Sequence, residues 1–164
     1  MAPQIIPCLW FNGEAEEAAK FYTSVFKDGV ITKTNYYTDA GKENHSFDIG
    51  SVMTVAFTIN GTSFTALNGG PQFKHSEAVS FQIPCKDQEE VDYYWEKLKE
   101  GGDEKKQQCG WVADRFGVSW QVFPVQLIEY ISAGGERGER TMKAMLSMKK
   151  FEIEELRKAF EGEA

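Results

Sequence analysis

The sequence predicts an α+β protein made of two successive copies of a strand-helix-strand module and a C-terminal helical extension. Three observations predict it. Glu16-Glu17 followed by Phe21-Tyr22 recurs as Glu89-Glu90 followed by Tyr94-Trp95, at one constant offset and in an amphipathic context each time. A second echo, a Val-Ala pair and then Gly-x-Ser-aromatic, follows in each half: Val55-Ala56 with Gly61 to Phe64, and Val112-Ala113 with Gly117 to Trp120. After Pro124 only helical spacing remains. The modules are placed at residues 1–74 and 75–125 and the extension at 126–164.

Taken in order, the first module opens with an apolar run that reads as a strand ending near Ile6-Pro7-Cys8, a tripeptide that recurs as Ile83-Pro84-Cys85. A helix follows in which Ala15, Ala18, Ala19, Tyr22, Val25 and Phe26 share one face. Glu16 and Glu17 stand in its first turn, where the helix dipole favours negative charge, and Asp28-Gly29 ends it. A long hairpin arm spans roughly Ile31 to Asn60, with Asp39 to Asn44 as its polar turn, and Asn60-Gly61 turns the chain into the next strand. In the second module Val91, Tyr94, Trp95 and Leu98 form the apolar stripe of a helix. Asp87 is its expected N-cap, Glu90 completes a capping box, and Gly101-Gly102 ends it. Phe116-Gly117 is the second hairpin turn. The extension reads as a short helix from Gln126 to Ser132, ended by Gly134-Gly135, and a helical pair from about Arg140. Met142, Met145 and Leu146 form one apolar face of the pair, and Ile153, Leu156 and Phe160 the next.

Composition narrows the function. With 164 residues, 41% of them apolar and 13% aromatic, the chain can bury a core without disulfides. A net charge of −7 repels polyanions, and the basic residues of the tail are interleaved with Glu152, Glu154, Glu155 and Glu161, so neither nucleic acid nor an acidic membrane is an expected partner. No basic-then-apolar leader opens the chain and no apolar run approaches a membrane span, which makes a cytoplasmic protein the expectation. Cys8, Cys85 and Cys109, odd in number and far apart, read as reduced thiols and form no CxxC cluster.

Several strings are distinctive enough to mark a family. Leu9-Trp10-Phe11, Gly13, Ala15-Glu16-Glu17-Ala18, Phe21-Tyr22 and Leu67-Asn68-Gly69-Gly70-Pro71-x-Phe73 stand in the first half. Gln88-Glu89-Glu90, Trp95, Leu98, Cys109-Gly110-Trp111, Asp114, Phe116-Gly117, Ser119-Trp120-Gln121, Pro124 and Ala144-Met145-Leu146-x-Met148 follow. Together they resemble the PhnB-like proteins, often labelled 3-demethylubiquinone-9 3-methyltransferase, of the glyoxalase/bleomycin resistance/dioxygenase, or vicinal oxygen chelate, superfamily. The resemblance implies two βαβββ modules that curl into paired half-barrels around a cavity, and a homodimer. His75 departs from the pattern, which has Phe there, and so does Phe151-Glu152.

Metal-dependent members of that superfamily bind a divalent ion through His or Glu on the first and last strands of each module. Carried through the repeat, those positions fall on Pro3, Thr65, Ser80 and Gln121, of which only Gln121 offers a usable, and neutral, oxygen. No metal and no other cofactor is expected. His45 falls in the long hairpin and His75 in the linker between modules, away from the ligand positions. A methyltransferase would need a Gly-rich loop running into a helix; Leu67 to Pro71 is Gly-rich but leads into Gln-Phe-Lys-His and reads as a turn and linker. Cys109 would need a neighbouring base or positive charge to act as a nucleophile; Lys105 and Lys106 are near it in sequence only, and it reads as a structural thiol.

What remains is an aromatic, weakly polar pocket for a small aromatic or hydrophobic ligand, with Trp10, Phe11, Asn68, Trp111, Asp114 and Gln121 as its candidate residues. Strand alternation puts Gln121 and Trp120 on opposite faces, and the resemblance turns Gln121 inward. The expected function is a metal-free small-molecule-binding protein, with an enzyme of the same superfamily, either a methyltransferase or a metal-independent lyase or isomerase, as the alternative. A docking role for the C-terminal helices is a third reading.

Overall fold

A computed structural model describes residues 3–163, which divide into two compact units, one running to His75 and the other from Ser76.

The first unit contains β1 (Cys8–Phe11), α1 (Ala15–Val25), β2 (Val30–Tyr36), β3 (Val52–Ile59) and β4 (Thr62–Asn68). Its four-stranded sheet runs β1-β4-β3-β2, with β1 parallel to β4 and the other pairs antiparallel. Helix α1 buries the face its spacing predicts, from Ala15 through Ala18, Ala19 and Tyr22 to Val25. Tyr22 stacks on Phe57 of β3 at 5.9 Å between ring centroids, and Phe57 stacks on Phe64 of β4 at 5.4 Å. The β3–β4 turn is the expected two-residue one: Asn60 and Gly61 have φ of 46° and 70°, the doubly left-handed pair whose twist matches that of the flanking strands. The polar arm after β2 closes through a short 3-10 turn, Lys42–Asn44.

The second unit contains β5 (Ser80–Cys85), α2 (Gln88–Lys99), β6 (Trp111–Ala113), β7 (Ser119–Pro124), α3 (Gln126–Ser132), α4 (Gly135–Ser147) and α5 (Ile153–Glu161). Its sheet is β5-β7-β6, with β5 parallel to β7 and β6 antiparallel to it. The α+β architecture is as the sequence predicts, but this unit carries three strands where the first carries four. The segment from Glu100 to Gly110, with Gly101-Gly102 and a charged 3-10 turn at Glu104–Lys106, is too short to go out and return as β2 does. Both sheets are open. The Ile-Pro-Cys echo also resolves differently: Cys8 begins β1, whereas Ile83-Pro84-Cys85 ends β5, so the buried pair Leu9 and Phe11 corresponds to Ile83 and Cys85.

Asp87 caps α2 as expected, its Oδ1 accepting from the Glu90 backbone N–H at 2.9 Å. The return bond of the capping box is displaced by one residue, since the Glu90 carboxylate accepts from the N–H of Lys86. The α2 stripe, Val91, Trp95 and Leu98, packs toward the face of the sheet that carries Val112, Trp120 and Val122. Helix α4 starts earlier than about Arg140 and turns a different side inward than expected. Gly138 and Thr141 are its buried residues and Met145 is half-buried, while Met142 and Leu146 are exposed. Leu127, Phe151 and Leu156 form the core of the extension, with Tyr130 stacked on Phe160 at 4.6 Å. Among the described residues no helix is long and apolar enough to cross a membrane.

Candidate functional site

The second unit holds a cavity of about 290 Å³ between its sheet and the C-terminal helices. Strand register builds one side of it. Gln82 of β5 lies opposite Gln121 of β7, and Gln121 lies opposite Trp111 of β6, so three side chains form a row across the whole sheet. Pleating sends this row, with Phe123, to the face away from α2, and sends Trp120 and Val122 to the buried face. The facing wall comes from Leu127, Ile128 and Ile131 of α3, Met145 of α4, and Phe151, with Cys109 completing the rim.

The extension is fastened over this face by backbone bonds. Cys109 and Gly110 form a two-residue hairpin turn, with φ of 50° and 78°, between Gln108 and Trp111. Their N–H groups donate to the carbonyls of Met148 and Lys149, each at 2.8 Å, and Gln108 Nε2 donates to the Leu146 carbonyl at 2.8 Å. Gly110 is required sterically as well as conformationally, because a Cβ there would sit 2.4 Å from the Phe151 ring. From α2, Gln88 donates through Nε2 to the Phe151 carbonyl at 3.0 Å and accepts at Oε1 from the Ile153 N–H at 2.8 Å. Lys150 pairs with Asp92 and with Glu152. The bond from Lys150 is the main reason the Asp92 carboxyl titrates below its ordinary value; burial pulls the Lys150 ammonium down, but its two carboxylate partners outweigh this and leave it raised.

Of the six residues singled out from the sequence, Trp111 and Gln121 line this cavity. Asp114 is 2% exposed: its Oδ1 accepts from the N–H groups of Phe116 and Val118 at 2.9 and 3.1 Å, and its Oδ2 from Trp120 Nε1 at 2.9 Å. It thereby fixes the Phe116-Gly117 turn and the buried Trp120 indole. In the first unit Asn68 is 3% exposed and does similar work. Its Oδ1 accepts from the N–H groups of Gly13 and Ala15, both at 2.9 Å, which caps the start of α1 from β4; its Nδ2 donates to the Val52 carbonyl at 3.0 Å. The Tyr37 hydroxyl donates to the Asn68 carbonyl. Trp10 donates through Nε1 to the Gly70 carbonyl at 2.8 Å and meets Phe73 edge-on, while Phe11 is buried with His75 tilted against it at 5.2 Å.

Sequence reasoning did not name Gln82, Phe123, Leu127, Ile131 or Phe151 as cavity residues. A signal existed for Gln82, a polar residue between the apolar Phe81 and Ile83 and therefore on the opposite face from Ile83. The helical wall had none, since spacing shows that a helix has an apolar face but not what it covers.

Of the four positions implied as metal ligands, Pro3 has no side-chain donor and Thr65, Ser80 and Gln121 are neutral; Ser80 Oγ accepts from Gln121 Nε2 at 2.7 Å. Among the described residues no three His, Cys, Asp or Glu side chains converge on one point. His45 lies in the loop between β2 and β3, its ring tilted against that of Tyr37 at 4.0 Å between centroids. The Gly-rich run after β4 folds back, the N–H groups of Gly69 and Gly70 donating to the Phe11 carbonyl, and leads to β5 with no intervening helix.

Residues 3–123 match the family profile described as 3-demethylubiquinone-9 3-methyltransferase. The chain belongs to that PhnB-like family. The PhnB-like resemblance read from its motifs therefore holds. The structure of a putative 3-demethylubiquinone-9 3-methyltransferase, PhnB protein, from Bacillus cereus is 31% identical, over 74% of this chain and 99% of its own, with a TM-score of 0.62. Protein PA1353 from Pseudomonas aeruginosa shares the fold at 22% identity, over 75% of this chain and 98% of its own, with a TM-score of 0.58. No curated protein matches the chain significantly. Helices α3 to α5 lie beyond the matched residues, so the PhnB-like domain supplies the sheet side of the cavity and the extension supplies the helical wall.

Proposed function

We propose that this PhnB-like protein binds a small aromatic or hydrophobic molecule, without a resident metal ion, in the cavity between β5-β7-β6 and the C-terminal helices. The observation that carries the reading is the cavity itself: about 290 Å³, walled by Trp111, Phe123, Leu127, Ile131, Met145 and Phe151, with a few polar groups along one edge. That is the composition of a small-molecule site. The four superfamily ligand positions support the metal-free part. Without charge or imidazole they do not fit a divalent cation, which needs clustered anionic oxygens or nitrogen donors to displace its water.

Titration of the full chain with a panel of aromatic ligands, followed by tryptophan fluorescence, tests this. Saturable binding that is indifferent to chelator is expected; stoichiometric uptake of zinc, nickel or manganese that switches on turnover would overturn it. Methyl transfer, which the family description names, is checked by thermal shift with S-adenosylmethionine at millimolar concentration. A ligand of the folded state raises the melting temperature by mass action, and no rise is expected. A homodimer in the cytoplasm completes the proposal, and light scattering of the purified chain tests the dimer.

A further inference from the structure

The polar edge of the cavity is uncharged and only partly used. Gln121 Nε2 donates to Ser80 Oγ at 2.7 Å, and Gln82 Nε2 lies 3.5 Å from Gln121 Oε1, the outer limit of a hydrogen bond. A primary amide offers two donors and an oxygen with two lone pairs. Gln121 therefore keeps one N–H and one lone pair, and the exposed Gln82 keeps one N–H and its Oε1. Opposite them stand Leu127, Ile131, Met145 and Phe151, and none of the lining residues carries a charge.

This asymmetry says what kind of molecule fits. An ion drawn between these walls loses part of its hydration and meets no counter-charge, which is unfavourable. A ligand without any polar group leaves the two amides unpaired wherever it displaces their water. A neutral carbonyl and N–H together complement both glutamines. For size, an enclosed apolar cavity of about 150 Å³ accepts a benzene ring, and the cavity here is close to twice that.

Resting on the binding function proposed above, we infer that the cavity selects an uncharged, flat molecule of about two fused rings bearing one carboxamide-like group, which pairs with Gln82 and Gln121 while the rings lie against Leu127, Ile131 and Phe151. The amide pair sets specificity and the helical wall supplies affinity.

Naphthamide, naphthalene and naphthoate differ in the features that matter, and their binding to the full chain can be compared by tryptophan fluorescence at neutral pH. Naphthamide is expected to bind tighter than naphthalene by about thirtyfold, the worth of two net neutral hydrogen bonds at roughly fivefold each, and naphthoate weaker than naphthamide by about tenfold. In Gln121→Leu and in Gln82→Leu the advantage of naphthamide over naphthalene, taken as a ratio within each variant, should fall to about fivefold, the worth of the one bond left. Gln82 is exposed, so its variant remains decisive even if Gln121→Leu fails to fold. Naphthoate binding as tightly as naphthamide, or an amide preference undiminished in Gln82→Leu, overturns the ligand class and leaves the binding function standing. Failure of all three probes to bind, or binding that persists when Ile131→Trp fills the cavity, overturns both.

Discussion

Replacing Asn68 with Ala separates a structural role from a ligand-binding one. The side chain makes three hydrogen bonds, two accepted at Oδ1 from Gly13 and Ala15 and one donated to the Val52 carbonyl, at 2.9 to 3.0 Å and with 3% of the residue exposed. Truncation strands two N–H groups and a carbonyl. Each buried group left unpaired costs about 1–3 kcal/mol; only the Ala15 bond is fully buried and water can recover part of the others, so the loss should be roughly 4 kcal/mol. Against a typical total of about 5–15 kcal/mol this is a large fraction. Asn68→Asp keeps both acceptor bonds, but it buries a charge and turns a second carboxylate oxygen toward the Val52 carbonyl, so it should not restore the stability that the Ala variant loses. Urea unfolding followed by far-UV circular dichroism measures both. A loss below about 1 kcal/mol for the Ala variant, or a change in ligand affinity with stability intact, would refute the assignment of Asn68 to the fold.

Gly69→Ala places a Cβ 2.3 Å from the Trp10 ring; the indole must move and release the Gly70 carbonyl, costing about 1–3 kcal/mol, with a red shift of tryptophan emission as its signature. The Asp92–Lys150 pair gives a pH test. Because the Asp92 carboxyl titrates below its ordinary 3.8 in the folded chain, its contribution is fully present above 3.8 and disappears as pH falls through the lowered value. The stability gap between the parent chain and Asp92→Asn, about 0.2–1 kcal/mol for so exposed a pair, should therefore close in acid, and a gap that widens there would contradict the assignment. Thiol labelling near pH 8 should modify exposed Cys8 and spare Cys85, whose thiol is pushed up to about 12 by burial and then by Glu90 and Asp87. Cys109, on the cavity rim, should label more slowly when naphthamide is bound; mass spectrometry of the peptides reads all three.

Much of the fold was legible because its causes are local. The α1 face from Ala15 to Val25, the Asn60-Gly61 turn and the Asp87 cap follow from helical period, left-handed backbone and side-chain reach within a few residues. The side of α4 that packs was not. Met142 and Leu146 are as apolar as Met145, but α4 lies against the chain through Gly138 and Thr141, where small residues permit close approach.

The candidate site divides along the same line. Its sequence alone determined this chain's PhnB-like membership, its duplicated modules and the placing of Gln121 and Trp120 on opposite faces of β7, since pleat and motif spacing are properties of neighbouring residues. Only the tertiary structure decided that Asn68 and Asp114 hold backbone N–H groups in place while Gln82, on a strand far from Gln121 in the chain, stands beside it. It also decided that residues beyond the family domain wall the cavity. A polar side chain's role depends on which donors, acceptors and apolar surfaces arrive next to it, and folding brings these from distant parts of the chain.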